Sequence, residues 1–292
     1  MKPTLFLFAV LILVFSCKTE TKQTEPDAIE NELQETVVTI VNDTIVDKDI
    51  LENQALQQTS KKEKLIQQED EKEALQELIT SKQIYKEDDH YVLDYTYPYL
   101  NEAIDANYVV FNSYLKESYL NVERTVNEIL EDKELLCDTL KIDRFREKRI
   151  IDYKVHSTTN NLISILLYKE NFYSGMRHSA YTFDCLNYNT QTHSFIYFND
   201  FFVPKAETEL RNLINETITN DIKSGDMYYD CWQLTEMDFR AYKNNFVVNG
   251  DFVAYYFDDC VICPSYTGTY SIKLPLLKIM HLIQQYQQPI VL

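Results

Sequence analysis

The chain divides into three stretches by the order of its apolar and polar positions. Residues 5–15 (LFLFAVLILVF) form an unbroken apolar run, preceded by one positive charge at Lys2. Residues 18–82 are rich in Glu, Gln, Lys and Thr and contain no aromatic residue. Aromatic and β-branched residues recur from Tyr85 onward. A segment without apolar area to bury cannot offset its conformational entropy, so the pattern predicts a flexible acidic tether over residues 17–82 and a folded part after it.

One segment inside the predicted tether has helix-forming residues. Residues 60–79 (SKKEKLIQQEDEKEALQELI) place Leu65, Leu75 and Ile79 at partly helical spacing. The pattern predicts a partly helical spacer. A lone helix and a short coiled coil are the alternatives.

The first half of the folded part alternates strands with one long helical stretch. Residues 90–99 (HYVLDYTYPY) alternate like a strand. Residues 100–136 carry a helical stripe of five apolar side chains, Ile104, Tyr108, Phe111, Leu115 and Leu120. Two apolar runs over residues 149–168 are broken by the polar sequence 158–161, which predicts a hairpin. Residues 181–188 and 194–198 form a second predicted strand pair.

The second half carries the clearest local signals. Pro204 and Gly225 bound a predicted helix, whose buried face comprises Leu210, Leu213, Ile214, Ile218 and Ile222. Asn249-Gly250 separates two apolar runs and indicates a hairpin. A strand over residues 269–274 is followed by Pro275 and a C-terminal helix. Together the elements predict an α+β fold, with a largely antiparallel sheet and helices packed on one face.

The apolar run at the N-terminus is too short to cross a bilayer, which takes about twenty residues. Its length is typical of a secretory signal. Residues 14–17 (VFSC) resemble the lipobox of bacterial lipoproteins, in which a small residue precedes a cysteine that takes a diacylglycerol group. The sequence therefore predicts a signal peptide over residues 1–16 and an envelope protein held to a membrane by lipid on Cys17. Lys18 after the cysteine favours the outer membrane. An ordinary signal peptide and a short transmembrane anchor are the alternatives.

Charge and glycine content exclude several classes of function. The formal net charge of −18 disfavours nucleic acid as a partner, because phosphate binding needs a basic face. It favours an encounter with cationic partners, although acidity also serves solubility. Only four glycines are present, and no glycine-rich phosphate-binding motif occurs. We therefore expect no nucleotide chemistry and no cofactor.

Five cysteines follow Cys17, at positions 137, 185, 231, 260 and 263. In an exported protein they are candidates for disulfides, but the number is odd and the sequence leaves the pairing of Cys137, Cys185, Cys231, Cys260 and Cys263 open. Cys260 and Cys263 have the spacing of a redox motif. They lie between two predicted strands rather than at a helix N-terminus, where a thiol pKa is lowered, so a redox role is disfavoured.

Two motifs resemble the C-terminal domain of the RsiV-like family. The first, residues 173–178 (YSGMRH), is followed by Tyr181-Thr182-Phe183-Asp184, Asn187-Tyr188-Asn189 and Phe198-Asn199-Asp200-Phe201-Phe202. The second is Pro264-Ser265-Tyr266-Thr267-Gly268, followed by residues 270–275 (YSIKLP). Gly175 and Gly268 supply backbone conformations closed to other residues. The resemblance covers about residues 85–283 and implies a small N-terminal α+β subdomain over residues 83–150 before the domain at 151–292.

The family includes a lysozyme-sensing anti-sigma factor and a peptidoglycan deacetylase in which this domain is the non-catalytic part. Two positions depart from the family pattern, because Met176 replaces a glycine and Ser265 replaces a tyrosine that recurs one place later as Tyr266. The catalytic and sigma-binding parts of those relatives find no match in this sequence. The resemblance thus implies a binding role, with two candidate contact loops: Tyr173, Ser174, Met176, Arg177 and His178 in one, and Pro264, Ser265 and Tyr266 in the other.

Other candidate chemistry in the sequence is weaker. Ser174 and His178, with Asp184 nearby, suggest a hydrolytic site, but the surrounding sequence does not match a nucleophile elbow. His178, His193 and Asp184 are candidate metal ligands. Asp258-Asp259 forms a poor glycosidase pair, since adjacent strand residues point to opposite faces, and is expected to be a solvated strand end. We therefore expect no metal site and no catalytic residues.

Tyrosine is the better indicator of function, because it gives stiff contact area with a polar tip. Five tyrosines lie near the two motifs, and about half of them are expected to pack the sheet: Tyr173, Tyr181, Tyr188, Tyr266 and Tyr270. The sequence predicts a non-enzymatic binding module for a cell-wall-active protein such as a lysozyme, or for peptidoglycan. The alternatives are a hydrolase of cell-wall or glycan esters acting through Ser174 and His178, and a structural envelope protein.

Overall fold

The structure, a computed structural model, describes residues 59–284 except residues 69, 73–74, 138–145, 158–160, 174–175 and 177, and describes residues 133–137 by their backbone alone. The predicted signal peptide, the lipidated Cys17 and the tether up to residue 58 lie outside the described residues. Within the described part of the chain, no helix is long and apolar enough to cross a membrane.

A six-stranded sheet forms the centre of the folded part. Its strands follow chain order, from β1 to β6, and every neighbouring pair is antiparallel except β2 and β3. The strands are β1 Ile79–Glu87, β2 Tyr91–Leu100, β3 Glu147–Ser157, β4 Leu162–Phe172, β5 Ala180–Asn189 and β6 Ser194–Phe195. The parallel pair is joined by a helical crossover, which comprises a 3₁₀ turn at Ala106–Tyr108, α2 at Val109–Ser113, a π-helical turn at Tyr114–Leu120 and α3 at Val122–Cys137.

A second sheet has three antiparallel strands in the order β7-β8-β9. They are β7 Phe246–Val248, β8 Phe252–Tyr256 and β9 Ser271–Pro275. The helices of this half are α4 Phe198–Phe201, α5 Ala206–Ser224, α6 Glu236–Tyr242 and α7 Leu276–Ile279, and two 3₁₀ turns lie at Ser265–Thr267 and Met280–Leu282. A further helix, α1, covers residues 59–67.

These elements stack in four layers. The crossover helices pack on one face of the large sheet, where Phe111 and Leu115 meet Leu93 and Ile165 in one core cluster. The opposite face packs against the small sheet through residues including Phe183 and Tyr256. The other face of the small sheet buries the apolar stripe of α5, as predicted from its spacing. Each sheet thus carries helices on one face, which confirms the predicted α+β class.

The strongest local signals form the elements that they predict. Gly225 ends α5 with φ of +85°, a left-handed conformation that costs glycine little. The hairpins β3–β4 and β7–β8 are both present. The long helical stretch after residue 100 is instead broken at Asn121, which has φ of +30°. The C-terminal helix is short, because the backbone passes into a 3₁₀ turn after Ile279.

The folded part begins earlier than predicted. β1 starts at Ile79, and α1 packs Leu65 completely out of solvent. The boundary proposed at residue 82 therefore falls inside β1. Nor does the sheet divide at residue 150: that position lies within β3, which pairs with β2 on one side and β4 on the other. One continuous sheet joins the two predicted subdomains, since its strand order runs through the proposed boundary without a break.

Candidate functional site

A disulfide fastens two surface segments beside α5. Cys231, in the segment after α5, is bonded to Cys263, in the loop after β8. The hydroxyl of Tyr266 donates to Asp230 Oδ2 at 2.7 Å, and its ring meets Tyr228 edge to face with centroids 6.2 Å apart. Tyr229 adjoins Tyr228 at 6.3 Å. We call Tyr228, Tyr229 and Tyr266 the tyrosine patch.

The patch presents aromatic surface to solvent. Tyr229 is 80% exposed and Tyr228 40%, and the neighbouring Trp232 is 41% exposed. The hydrogen bond to Asp230, together with partial burial and the negative charge of Asp230, raises the pKa of Tyr266 to about 12. The Tyr266 phenol is therefore neutral at physiological pH. Large exposed aromatics held by a disulfide offer stiff contact area that loses little side-chain entropy on binding.

A groove of about 480 Å³ runs beside the patch. Its walls come from three regions of the chain: α1, the end of α5 with the segment after it, and the segment before β9. The lining residues are Lys64, Ile222, Gly225, Asp226, Met227, Tyr228, Tyr229, Thr267 and Thr269. Its mixture of aromatic rings, hydroxyls and charges suits a polar ligand such as a peptide or a glycan.

The first predicted contact loop lies at the β4–β5 turn. Tyr173 is 41% exposed, and the guanidinium of Arg149 stacks 3.9 Å from its ring centre. Met176 is 42% exposed, and its amide donates to the Tyr173 carbonyl at 3.1 Å. Nε2 of His178 is buried and makes no hydrogen bond within the described residues. Ser174 and Arg177 lie outside the described residues.

The second predicted contact loop lies in the disulfide-linked region. Pro264 precedes the 3₁₀ turn and its carbonyl accepts from the Thr267 amide at 3.1 Å, while Ser265 is half-buried in that turn. Gly268 ends the turn with φ of +71°, as expected for a position that favours glycine. Tyr266 contacts the segment at 228–230 rather than the first loop. No contact between the two predicted loops is recorded among the described residues.

The five tyrosines that the sequence singled out divide between core and surface. Tyr181, Tyr188 and Tyr270 are at most 5% exposed and pack the sheets. Tyr173 and Tyr266 remain accessible. The expectation that about half would pack the sheet is confirmed.

The candidate hydrolytic and metal residues have other partners. Asp184 accepts from the Tyr119 hydroxyl at 2.6 Å and pairs with Lys169 at 2.9 Å. His193 pairs with Asp105 at 3.3 Å. A catalytic triad would require a hydrogen bond between Asp184 and His178, and the described part of the chain shows none. Among the described residues, no group of three His, Cys, Asp or Glu side chains is placed to hold a metal ion.

Asp258 and Asp259 do not form a solvated strand end. Beyond its short pairing with β6, β5 leaves backbone groups open along one edge. The amides of Tyr181 and Phe183 donate to Asp259 and Asp258 at 2.8 Å each, and the Cys185 amide donates to Asn245 at 2.7 Å. The two carboxylates accept from amides that are two positions apart along β5. They can do so because Asp258 and Asp259 lie in the loop after β8, which ends at Tyr256. The carboxylates thus accept from backbone amides that a further strand would otherwise pair with. Burial raises the pKa of Asp258.

The cysteine pairing, which the sequence left open, is now assigned in part. Cys263 is bonded to Cys231, so the pair with redox spacing does not form a disulfide with itself. Cys260 is an exposed free thiol, and burial raises the pKa of the free Cys185 thiol well above its usual range. Residues 228–232 (YYDCW) were missed by sequence reasoning. Their run of aromatics around a cysteine was the available signal.

Structural comparison places the fold among proteins of unassigned role. A crystal structure of a DUF3298 family member from Bacteroides fragilis has a TM-score of 0.50 and 15% identity, and the match covers 70% of this chain and 92% of that chain. A DUF3298 family protein from Pseudomonas aeruginosa has a TM-score of 0.47 and 12% identity, with 72% and 95% covered. At such identities the first likeness shows the fold alone. The fold of that structure is consistent with the resemblance of the two sequence motifs to the RsiV-like family, since the RsiV-like domain is related to DUF3298.

No family model matches the chain, and no curated protein matches its sequence. The DUF3298 neighbours have no known function. Functional inference therefore depends on the surface of this chain.

Proposed function

We propose that this protein is a lipid-anchored envelope protein whose folded part is a non-enzymatic binding module for a cationic, cell-wall-active protein such as a lysozyme. The observation that carries the proposal is the tyrosine patch. Exposed aromatics on disulfide-linked loops are typical of recognition surfaces, because they bury much area at low entropic cost.

Charge supports a cationic partner. The chain has a net charge of −18, and Asp226 and Asp230 lie in or beside the patch. A basic protein would be attracted to this surface at long range, and the aromatic side chains would then supply short-range contact. Lipid on Cys17 would hold the module at a membrane, which is where cell-wall-active proteins arrive.

Peptidoglycan is the second candidate ligand, and one observation favours it. The groove beside the patch is lined by tyrosine rings and threonine hydroxyls, a combination that stacks on sugar rings and hydrogen-bonds their hydroxyls. A glycan ligand would use the groove, whereas a protein ligand would need the exposed faces of Tyr229 and Trp232 as well.

The proposal is tested by measuring the affinity of wild type and two matched variants for a c-type lysozyme. Tyr229→Ala removes the most exposed ring of the patch, and we expect it to weaken affinity at least about ten-fold, as at interface hot spots. Tyr85→Ala is the control, because Tyr85 is 57% exposed on the edge strand β1 and belongs to no part of the patch. Equal affinity of wild type and Tyr229→Ala would contradict the site, and absence of binding by the wild type would contradict the partner. Soluble peptidoglycan fragments, titrated into the same proteins, distinguish the second candidate.

A further inference from the structure

Lys61 is a buried lysine surrounded by aromatic rings. It lies on α1 and is 1% exposed. Its ammonium is ion-paired with the carboxylate of Asp259. The same nitrogen lies 5.2 Å from the ring centre of Tyr181, 5.8 Å from that of Phe183 and 5.6 Å from that of Tyr270, within the range of cation–π attraction. We call Tyr181, Phe183, Tyr270 and Asp259 the ammonium cage.

All four residues of the cage lie outside α1. Tyr181 and Phe183 belong to β5, and the rings of Phe183 and Tyr270 stack with centroids 5.0 Å apart. The Tyr181 amide donates to the Asp259 carboxylate at 2.8 Å, and the Asp259 amide donates to the Tyr181 carbonyl at 3.2 Å. The Asp259 carboxylate and the stacked rings of Phe183 and Tyr270 are therefore held by contacts that do not involve Lys61.

The helix α1, which carries Lys61, is held mainly by polar contacts. Residues 59–67 are too few for a helix stable in isolation, and Leu65 is the one apolar side chain of α1 that is fully buried. The remaining attachments are polar. Lys154 donates to the carbonyls of Ile66 and Gln68 at 3.0 Å each, and Lys62 pairs with Glu170 at an exposed position. The side chain of Gln68, directly after the helix, donates to the Tyr270 hydroxyl at 3.2 Å and accepts from the Tyr256 hydroxyl at 2.9 Å. Undocking of α1 would expose little apolar surface beyond Leu65 and the cage itself.

We propose that the ammonium cage is a binding site for a lysine side chain of a partner polypeptide, and that Lys61 occupies it in cis. Aromatic rings with one carboxylate recognise a cation on an aliphatic stem, and Lys61 already shows that a lysine fits. Because α1 is tethered to the cage, its effective concentration is in the millimolar range. A partner must add contacts elsewhere, and the groove is suitably placed, since Lys64 of α1 lines it. The inference does not depend on lysozyme being the partner.

Charge-reversal variants of the full chain test the proposal. Lys61→Glu places a carboxylate against Asp259 and should undock α1, leaving the cage open. Glu63→Lys is the matched control, because Glu63 is an exposed residue of the same helix and takes no part in the attachments named above. The probe is a fluorescent peptide with the sequence of residues 59–72. We expect it to bind the Lys61→Glu chain at least about ten-fold more tightly than wild type or Glu63→Lys, whose cages are filled. The same peptide with methionine at the position of Lys61 should not bind.

Two results would overturn the proposal: a folded Lys61→Glu chain that does not bind the peptide, and equal binding by all three chains. Should Lys61→Glu fail to fold, amine acetylation of the wild-type chain decides the question. Lys61 should be modified at least about ten-fold more slowly than Lys62 or Lys64, as its burial requires, and an excess of the isotope-labelled peptide should speed its modification by competing for the cage. Acetylation of Lys61 as fast as that of Lys62 or Lys64 without peptide contradicts the proposal. So does slow acetylation of Lys61 that the peptide does not speed. Failure of lysozyme to bind would leave this result unaffected.

Discussion

Asp258 is a buried carboxylate that serves as a backbone acceptor. It accepts from the Phe183 amide and bonds to the Tyr242 hydroxyl, while burial raises its pKa. Asp258→Asn keeps an acceptor and removes a desolvated charge, so we expect equal or slightly higher stability at neutral pH. Asp258→Ala leaves the Phe183 amide without its partner and should lower the free energy of unfolding by about 1–3 kcal/mol. Urea denaturation of the three proteins measures both effects.

The pH dependence of the Asp258 contribution has a definite sign. Because its folded pKa lies above the unfolded value, the contribution of this group is most favourable below the unfolded pKa and declines as pH rises through the folded pKa. The advantage of Asp258→Asn over wild type should therefore shrink as pH is lowered toward about 4. An advantage that grows on acidification would contradict the burial of this charge.

Tyr266 should titrate later than an ordinary tyrosine. Its pKa is raised to about 12, first by the hydrogen bond to Asp230. Below the unfolded value of about 10 its stabilising contribution is complete, and that contribution is lost as pH rises through the folded pKa. The phenolate absorbance of wild type minus Tyr266→Phe should show little ionisation near pH 10, whereas Asp230→Asn should restore ionisation there. Half-ionisation of Tyr266 near pH 10 in the wild type would mean that the bond to Asp230 is absent.

At the scale of the elements, the disulfide between Cys231 and Cys263 should stabilise the segments that carry the tyrosine patch. It closes a separation of 32 residues, for which chain entropy gives about 3–4 kcal/mol. We expect Cys231→Ser with Cys263→Ser to lose stability of this order in guanidinium unfolding and to loosen the tyrosine patch. Cys260→Ser is the control, because Cys260 is an exposed free thiol. Equal stability of the double variant and wild type would show that the bond contributes nothing to the fold.

Elements that neighbouring residues specify could be predicted from the sequence, whereas elements that depend on contacts with distant residues could not. The hairpin at residues 249–250 and the helix α5 are specified by neighbouring residues, and both formed. β1 was missed because only Ile79 of its nine residues is buried, so its alternation of apolar and polar positions is weak. α1 was assigned to a spacer because its docking depends on Lys61 and Leu65 meeting residues about 100 to 200 positions away.

The same difference between local and distant determinants applies to the candidate site. Tyr266 and Pro264 were found by motif, and the structure places both in the disulfide-linked region. The partners of Tyr266 at 228–230 were missed, since these segments meet through distant contacts that include the bond between Cys231 and Cys263, and the odd number of cysteines left that bond open. The parallel pairing of β2 with β3 likewise joins strands separated by the whole helical crossover, which no local pattern specifies.

At the scale of the whole molecule, the fold provides a rigid support for one aromatic surface on an acidic chain. The two sheets and their helices bury most of the large side chains, whereas the tyrosine patch stays exposed at a disulfide. The proposed function therefore requires a partner that is both basic and rich in contact surface. Attraction by charge alone would bind many cationic proteins with low specificity.

The measurement that tests this account most directly is calorimetric titration of the protein with a c-type lysozyme, at about 0.15 M salt and at about 0.5 M salt, where surface attraction is largely screened. The account predicts heat at both salt concentrations, with an affinity that falls modestly on addition of salt and depends on Tyr229. Heat that disappears at the higher salt, or no heat at either concentration, would contradict a specific binding module for this class of partner.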